Sequence, residues 1–526
     1  MTIMRLVLSY LEQAAARYPD HPAVVDPEQS FSYRQLADAQ AHLASALLVA
    51  GVGHRQPVPV LLPKSCLSVA VLLSVARTGA FYVPLNPDQP PARLGRLLQR
   101  LDASLVISDA EGRRRLSETG FAGQILTAED LVRQPLQLDL LEQRQRLLLD
   151  TDPLYCNFTS GSTGEPKGVL ISHRSVVDFM EVFVPLAGLK HSSVIGNQAP
   201  YDFDVFVKDL YGSLSCGATL VLIPMSYFTQ PVRLLDYICD HQVDTLIWAV
   251  SALCLISQLK GFRYRVPRQL RQVLFSGEPM PLKQLKIWMD QLPETRFVNL
   301  YGPTEITCNC TYYEVPVPLD LSSPLPIGRP FPNEAVFLLD DCDQLITAPE
   351  QEGQICVAGT CLASGYYRDP VRTAECFTLN PLNHIFPERI YRTGDMACYR
   401  PDGNLMFTGR RDGQIKLMGH RIELGEVEAA LDLQPAVARA CCIFDQRRQR
   451  LLAFAVPDPQ AETGLPLDQP LRAQASSRTE QQLLEALRAQ LPHYMVPQRI
   501  YWCRTLPLNA HGKLDRASLS KQYEEA

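Results

Sequence analysis

Through the first 400 residues, segments with helical spacing take turns with short apolar runs, and this alternation limits the fold more than any other feature of the chain. Residues 32–49 space their apolar side chains at helical intervals, and 58–62 form a short apolar run. Residues 67–76 read as a buried helix, 80–85 as a buried strand, and 105–107 and 124–126 as further short strands. Helices that alternate with short buried strands pack on the faces of a mostly parallel sheet, so the expected class is α/β. After Gly409 the character changes. Residues 410–425 are charged and Gly-bearing, 423–433 read as a helix and 436–444 as a strand. Residues 457–477, rich in Pro, Gln, Ala and Ser, read as a long surface loop, and 481–491 as another helix. The chain thus divides into a large part, 1–410, and a smaller α+β part, 411–526. A length of 526 residues accommodates about three or four domain-sized units, which disfavours a single small binding module.

Composition narrows the function classes. With 46% hydrophobic and 20% charged residues the chain is an ordinary globular one, not a disordered one. A net charge of -6 gives no general pull toward nucleic acid or anionic lipid. No apolar run approaches the ~18 residues of a membrane span; the nearest, 69–83, is broken by Arg77. The first residues lack the unbroken apolar core of a signal peptide. The 15 cysteines include no C-x-x-C pair, so neither a zinc knuckle nor a redox motif is signalled. These features point to a reducing cytoplasm, with free and mostly buried thiols, and to neither nucleic-acid binding nor membrane insertion.

Residues 158–169 read FTSGSTGEPKGV. Glycines let backbone N–H groups converge on an anion, and hydroxyls and a lysine add donors. That is the chemistry of a triphosphate cradle, although a plain surface loop has a similar composition. It is not the P-loop pattern, because Pro166 precedes Lys167 and Gly168 follows it. Further blocks follow in order: LYGPTEIT at 300–307, YRTGD at 391–395, GRRDGQIK at 409–416, GHRIELGEVE at 419–428 and NAHGKLDR at 509–516. Together the six blocks resemble the adenylate-forming superfamily: acyl-CoA synthetases, luciferases and the amino-acid adenylation domains of peptide synthetases. The resemblance spans essentially the whole chain.

The resemblance implies a large N-terminal domain of α/β subdomains with a β-barrel-like subdomain, and a small mobile C-terminal domain. It implies a two-step reaction with ATP and Mg²⁺: a carboxylate attacks the α-phosphate to give an acyl-adenylate, then a thiol attacks the adenylate. Thr159, Ser160, Gly161, Ser162, Thr163, Gly164 and Lys167 would hold the β- and γ-phosphates. Tyr301 would stack on adenine, Thr304 would contact the α-phosphate and Glu305 would help hold the metal. Asp395 would accept from both ribose hydroxyls, with Arg410 supporting the ribose and phosphate side. Asp412 matches the hinge about which the small domain rotates. Lys513 matches the lysine that bridges the substrate carboxylate and the α-phosphate. Gly419 lies where the family admits a pantetheine arm, so a side chain there would impair thioester formation more than adenylation. The family is often monomeric.

Asp204 matches the aspartate that pairs with the substrate's α-ammonium in amino-acid-activating members; as a local feature it also fits the N-cap of a helix beginning at Val205. The remaining pocket positions matched by motif are Val205, Lys208, Trp248, Leu274, Ser276, Leu300, Cys308 and Asn309. Large Trp248 and long Lys208 leave little volume, which favours a small amino acid: glycine first, then alanine and serine. The alternatives are that Lys208 binds the side-chain carboxylate of aspartate or glutamate, or that it is exposed beside Asp209. Residues 273–281 and 204–211 resemble stand-alone D-alanine–carrier-protein ligases and their glycine-activating relatives, which serve cell-envelope modification. Ser276 and Lys208 depart from the D-alanine pattern. No carrier domain follows the Lys513 block, so a carrier protein bearing phosphopantetheine is expected in trans. An acyl-CoA ligase, or a non-catalytic adenylate-binding regulator, would be the competing functions.

Overall fold

A computed structural model describes residues 6–161, 165–411, 413–445, 448–458, 473–474, 477–507 and 514–525. The expected α/β class is what it shows. A seven-stranded sheet runs in the order Gly365–Tyr366, Lys167–Ser172, Pro153–Thr159, Phe81–Pro84, Pro57–Leu61, Leu105–Ser108, Gln124–Thr127. Its five strands from Pro153–Thr159 onward are mutually parallel. A nine-stranded sheet has six parallel strands, in the order Arg296–Tyr301, Gln272–Ser276, Thr245–Ala249, Val194–Asn197, Thr219–Leu222, Pro22–Val25, with antiparallel strands at both edges.

One continuous core lies between these sheets. Helices Tyr33–Val49, Cys66–Arg77, His173–Leu186 and Val205–Cys216 contribute to it. The first of them starts where Ser32 and Gln35 form a reciprocal capping box, which satisfies backbone N–H groups that the first turn leaves unpaired. A second core covers the far face of the nine-stranded sheet under Pro231–Asp240, Val250–Gln258 and Leu282–Gln291. Successive strand residues point to opposite faces. Leu274 therefore enters the shared core, and Val273 and Phe275 the second one.

The barrel-like subdomain takes the form of a six-stranded antiparallel sheet. Its strand Leu405–Arg410 carries the chain to the small part. There the hairpin Gln414–Leu417/His420–Glu423 leads into helix Leu424–Asp432. A four-stranded sheet follows, in the order Val437–Asp445, Arg450–Pro457, Arg499–Trp502, Ala473–Gln474. Helix Ser477–Arg488 starts before the apolar period that marks it in the sequence. Most of the 457–477 stretch, together with Asp412 and Lys513, lies outside the described residues.

All fifteen cysteines are unpaired thiols and most are buried; Cys342 is exposed. It follows Asp341, whose carboxylate is ion-paired with Arg411 at the junction of the two parts. Among the described residues no helix is long and apolar enough to cross a membrane. Arg77 ends the apolar helix Cys66–Arg77 and donates to Gln40 Oε1 at 2.9 Å.

Candidate active site

The glycine-rich segment links two antiparallel strands, with Thr159 opposite Lys167. The first strand, Pro153–Thr159, delivers the Thr159 hydroxyl, a buried atom with no partner among the described residues. A Cβ on Gly161 would collide with the Glu165 carbonyl oxygen, so the turn admits no side chain there. Ser162, Thr163 and Gly164 lie outside the described residues.

Lys167 reaches from this turn to Glu305, Nζ to Oε1 3.1 Å, with both side chains buried. Glu305 lies on the short turn Thr304–Ile306 after strand Arg296–Tyr301 and is 0% exposed. It also accepts from the Tyr366 hydroxyl at 2.9 Å and from Arg421 Nη1 at 2.9 and 3.1 Å. Burial alone would raise its pKa, but Arg421 and Lys167 together hold it far below the usual carboxylate range. An ionised carboxylate facing a phosphate-binding turn suits Mg²⁺, which prefers few protein oxygens completed by phosphate and water. Both Glu305 oxygens carry cationic donors in this arrangement, so a metal there requires the guanidinium to withdraw.

Tyr301, at the end of the same strand, donates its hydroxyl to Asp395, whose other oxygen is ion-paired with Arg410. Asp395 and Arg410 are brought together by antiparallel register, directly opposite each other on neighbouring strands. Lys416, on the hairpin, places Nζ 6.0 Å from the Tyr301 ring centroid, and burial lowers its pKa against the field of Asp395.

Asp204 stands at the N-cap of helix Val205–Cys216, yet its side chain makes no capping bond. Burial raises its pKa, opposed by Thr304, Lys208 and Lys416. Lys208, one helical turn on, is 1% exposed, which removes the exposed reading. Its Nζ donates to Asn309 Oδ1 at 2.6 Å and to Ser276 Oγ at 3.5 Å. Among the described residues no carboxylate lies within 4.0 Å of this ammonium. Val205, Leu274, Leu300 and Cys308 belong to the shared core on this side of the sheet.

Trp248 is a correction. It was expected as a pocket wall, but strand alternation turns its ring into the second core, edge-on to Phe228, where Nε1 donates to the Gly196 carbonyl at 2.7 Å.

The small part closes over these groups. Ser160 Oγ donates to the Arg421 carbonyl at 2.7 Å and accepts from the Glu423 N–H at 3.1 Å. Gly419, at φ +80°, donates its N–H to Glu278 Oε1 at 2.7 Å. A Cβ there would lie 3.3 Å from Ala249 Cβ. Arg421, Lys416, Tyr366 and Glu278 were not singled out from sequence. Arg421 and Lys416 stand inside recognised blocks, but only the packing reveals their partners.

Residues 11–367 match the family model described as AMP-binding enzyme, and 426–513 match the AMP-binding enzyme C-terminal domain. The chain belongs to the AMP-binding enzymes. It is 31% identical over 530 residues to the L-proline–[L-prolyl-carrier protein] ligase of Pseudomonas fluorescens, covering 99% of this chain and 100% of that protein. It is 34% identical over 529 residues to phosphinothricin tripeptide synthetase PhsC of Streptomyces viridochromogenes, covering 98% of this chain and 45% of the synthetase. The chain thus spans less than half the length of that synthetase, and 13% of tyrocidine synthase 2 of Brevibacillus parabrevis. Among solved structures, holo-PA1221, an NRPS protein containing adenylation and PCP domains, superposes with a TM-score of 0.80 at 27% identity, covering 98% of this chain and 84% of that one.

The place of Gly419 on the thiol's approach, expected from the family resemblance, can be tested directly in this AMP-binding enzyme. Gly419→Val puts a branched side chain at a left-handed position in contact with Ala249. Thioester formation should fall at least ~10-fold further than adenylation, on the scale of one strained backbone position. Parallel carrier-loading and pyrophosphate-exchange assays of the variant check this. An equal loss in both would remove Gly419 from the thiol's path.

Proposed function

We propose that the chain activates an amino acid as aminoacyl-AMP and passes it to the phosphopantetheine thiol of a carrier protein, and that the amino acid carries an acidic side chain. In the first step a carboxylate oxygen bonds to the α-phosphorus of ATP and the bond to pyrophosphate breaks. In the second the thiol sulfur bonds to the acyl carbon, AMP departs and the thiol proton is lost. Bound Mg²⁺ would neutralise phosphate charge; Glu305 is the residue that would hold it. Lys167 and the loop hydroxyls would hold the outer phosphates, Tyr301, Asp395 and Arg410 the nucleoside, and Thr304 the α-phosphate.

The observation that carries the substrate reading is the pair of charged side chains one helical turn apart. Asp204 is a carboxylate free of capping duty. Lys208 is a buried ammonium whose partners are an amide and a hydroxyl. A buried charge without a direct ion pair is costly, so a ligand that supplies one is favoured. A substrate with an α-ammonium and a side-chain carboxylate supplies both. The loss of Trp248 as a wall removes half the argument for a minimal side chain. A second reading, glycine before alanine and serine, retains one observation: Lys208, held by Asn309 and Ser276, occupies the pocket floor.

ATP–pyrophosphate exchange across the twenty amino acids and D-alanine decides between them. A maximum with aspartate or glutamate is the expected result. A maximum with glycine would establish the second reading. No exchange with any amino acid would leave an acyl-CoA ligase as the standing alternative.

A further inference from the structure

Lys208 is followed by a second buried charge. Asp209 is 0% exposed and sits next to it on helix Val205–Cys216, where its field favours the Lys208 ammonium. Its hydrogen bond nevertheless goes elsewhere. Oδ2 accepts from Asn197 Nδ2 at 2.6 Å, and Oδ1 is buried without a partner among the described residues. Asn197 ends strand Val194–Asn197 of the nine-stranded sheet, and its own Oδ1 accepts from Lys64 Nζ at 3.0 Å. Lys64 lies between strand Pro57–Leu61 of the seven-stranded sheet and helix Cys66–Arg77. Its Nζ also donates to the Gln198 carbonyl at 3.1 Å. Lys64, Asn197 and Asp209 thus form a chain from one sheet to the other, ending on the helix that bears Lys208. Burial pushes the Asp209 carboxyl up to about 7, opposed by the Asn197 hydrogen bond and by both lysines. Burial pulls the Lys64 ammonium down to about 7, opposed by Asp209. One buried carboxylate is therefore shared between two ammonium groups, and the hydrogen bonds assign it to Lys64.

We propose that Lys64, acting through Asn197, is a positioning residue for side-chain selection: it engages Asp209 and so leaves the charge of Lys208 to a substrate carboxylate. The inference rests on the acidic-substrate reading and names the device that keeps that ammonium available. Without Lys64, Asp209 would balance Lys208 from the neighbouring position. A substrate carboxylate would then meet a charge already compensated, and would gain less from burial beside it.

ATP–pyrophosphate exchange with the preferred acid, aspartate or glutamate, and with its own amide tests the proposal as a ratio of kcat/KM values. Lys64→Met should lower the acid-to-amide ratio about tenfold, the scale of one charge felt across a protein interior. The loss should lie in KM for the acid, with exchange of the amide unchanged. Lys64→Arg, which keeps the charge, should stay near the unmodified chain. The double variant Lys64→Met/Asp209→Asn should recover the ratio, because no competing carboxylate remains beside Lys208. A merely structural lysine would cost acid and amide alike, and would regain nothing from the second substitution; either result overturns the proposal. Asp209→Asn alone leaves Lys64 untouched: the ratio should hold or rise, and a fall overturns the proposal too. The unmodified chain separates the two readings. If it favours a neutral amino acid over both acids, the acidic-substrate reading fails and this inference with it. If it favours an acid and Lys64→Met leaves the ratio unaltered, this inference alone fails.

Discussion

Asp204→Ala should lose amino-acid-dependent ATP–pyrophosphate exchange by about 10²–10³-fold in kcat/KM, the cost of leaving one partner of a buried charge pair alone. The carboxylate stands at a helix N-terminus without capping it, so the substitution leaves the helix its existing N-terminal bonds. The loss should therefore appear in catalysis and not in thermal stability. Asp204→Asn separates charge from shape: it keeps the size of the side chain and removes the attraction for an ammonium. Steady-state exchange and a melting curve on both variants check this. Retention of exchange in Asp204→Ala would show that the activated acid carries no ammonium at this position, which is the acyl-CoA ligase expectation.

The second large effect concerns selectivity. Lys208→Met keeps the length of the side chain and removes its charge. Exchange with aspartate or glutamate should fall by ~10²-fold or more, because the substrate carboxylate would then be buried without a partner. Exchange with a neutral amino acid should hold or rise, since the variant no longer buries an ammonium whose hydrogen bonds go to Asn309 and Ser276. Comparing kcat/KM for glutamate and a neutral isostere in both proteins gives the result as a ratio. If that ratio stays constant, the lysine has no hand in selecting the side chain.

The parts of the site that the sequence discloses are those built from adjacent residues. The glycine-rich turn is legible because its function needs backbone N–H groups and hydroxyls that the same dozen residues supply. Asp395 and Arg410 are legible as separate motifs, and antiparallel register then sets them opposite each other. Trp248 was misplaced for a definite reason. A strand residue's face depends on register within the sheet, and neither composition nor local spacing around residue 248 reveals which core it enters. Arg421 was overlooked because its meaning lies 116 residues away in Glu305, and a chain pattern carries no record of a meeting between two parts. Most of the loop expected at 457–477, and the lysine expected at 513, fall outside the described residues; the loop rests on composition and the lysine on the resemblance.

The thiol inventory has an experimental use. With most sulfurs sealed in the cores, a bulky maleimide dye would react preferentially at Cys342. Asp341 beside it grips Arg411, the first residue after the last strand of the large part. The native chain therefore carries its own labelling handle at the junction, where a fluorophore would test without an engineered cysteine whether the small part reorients during turnover.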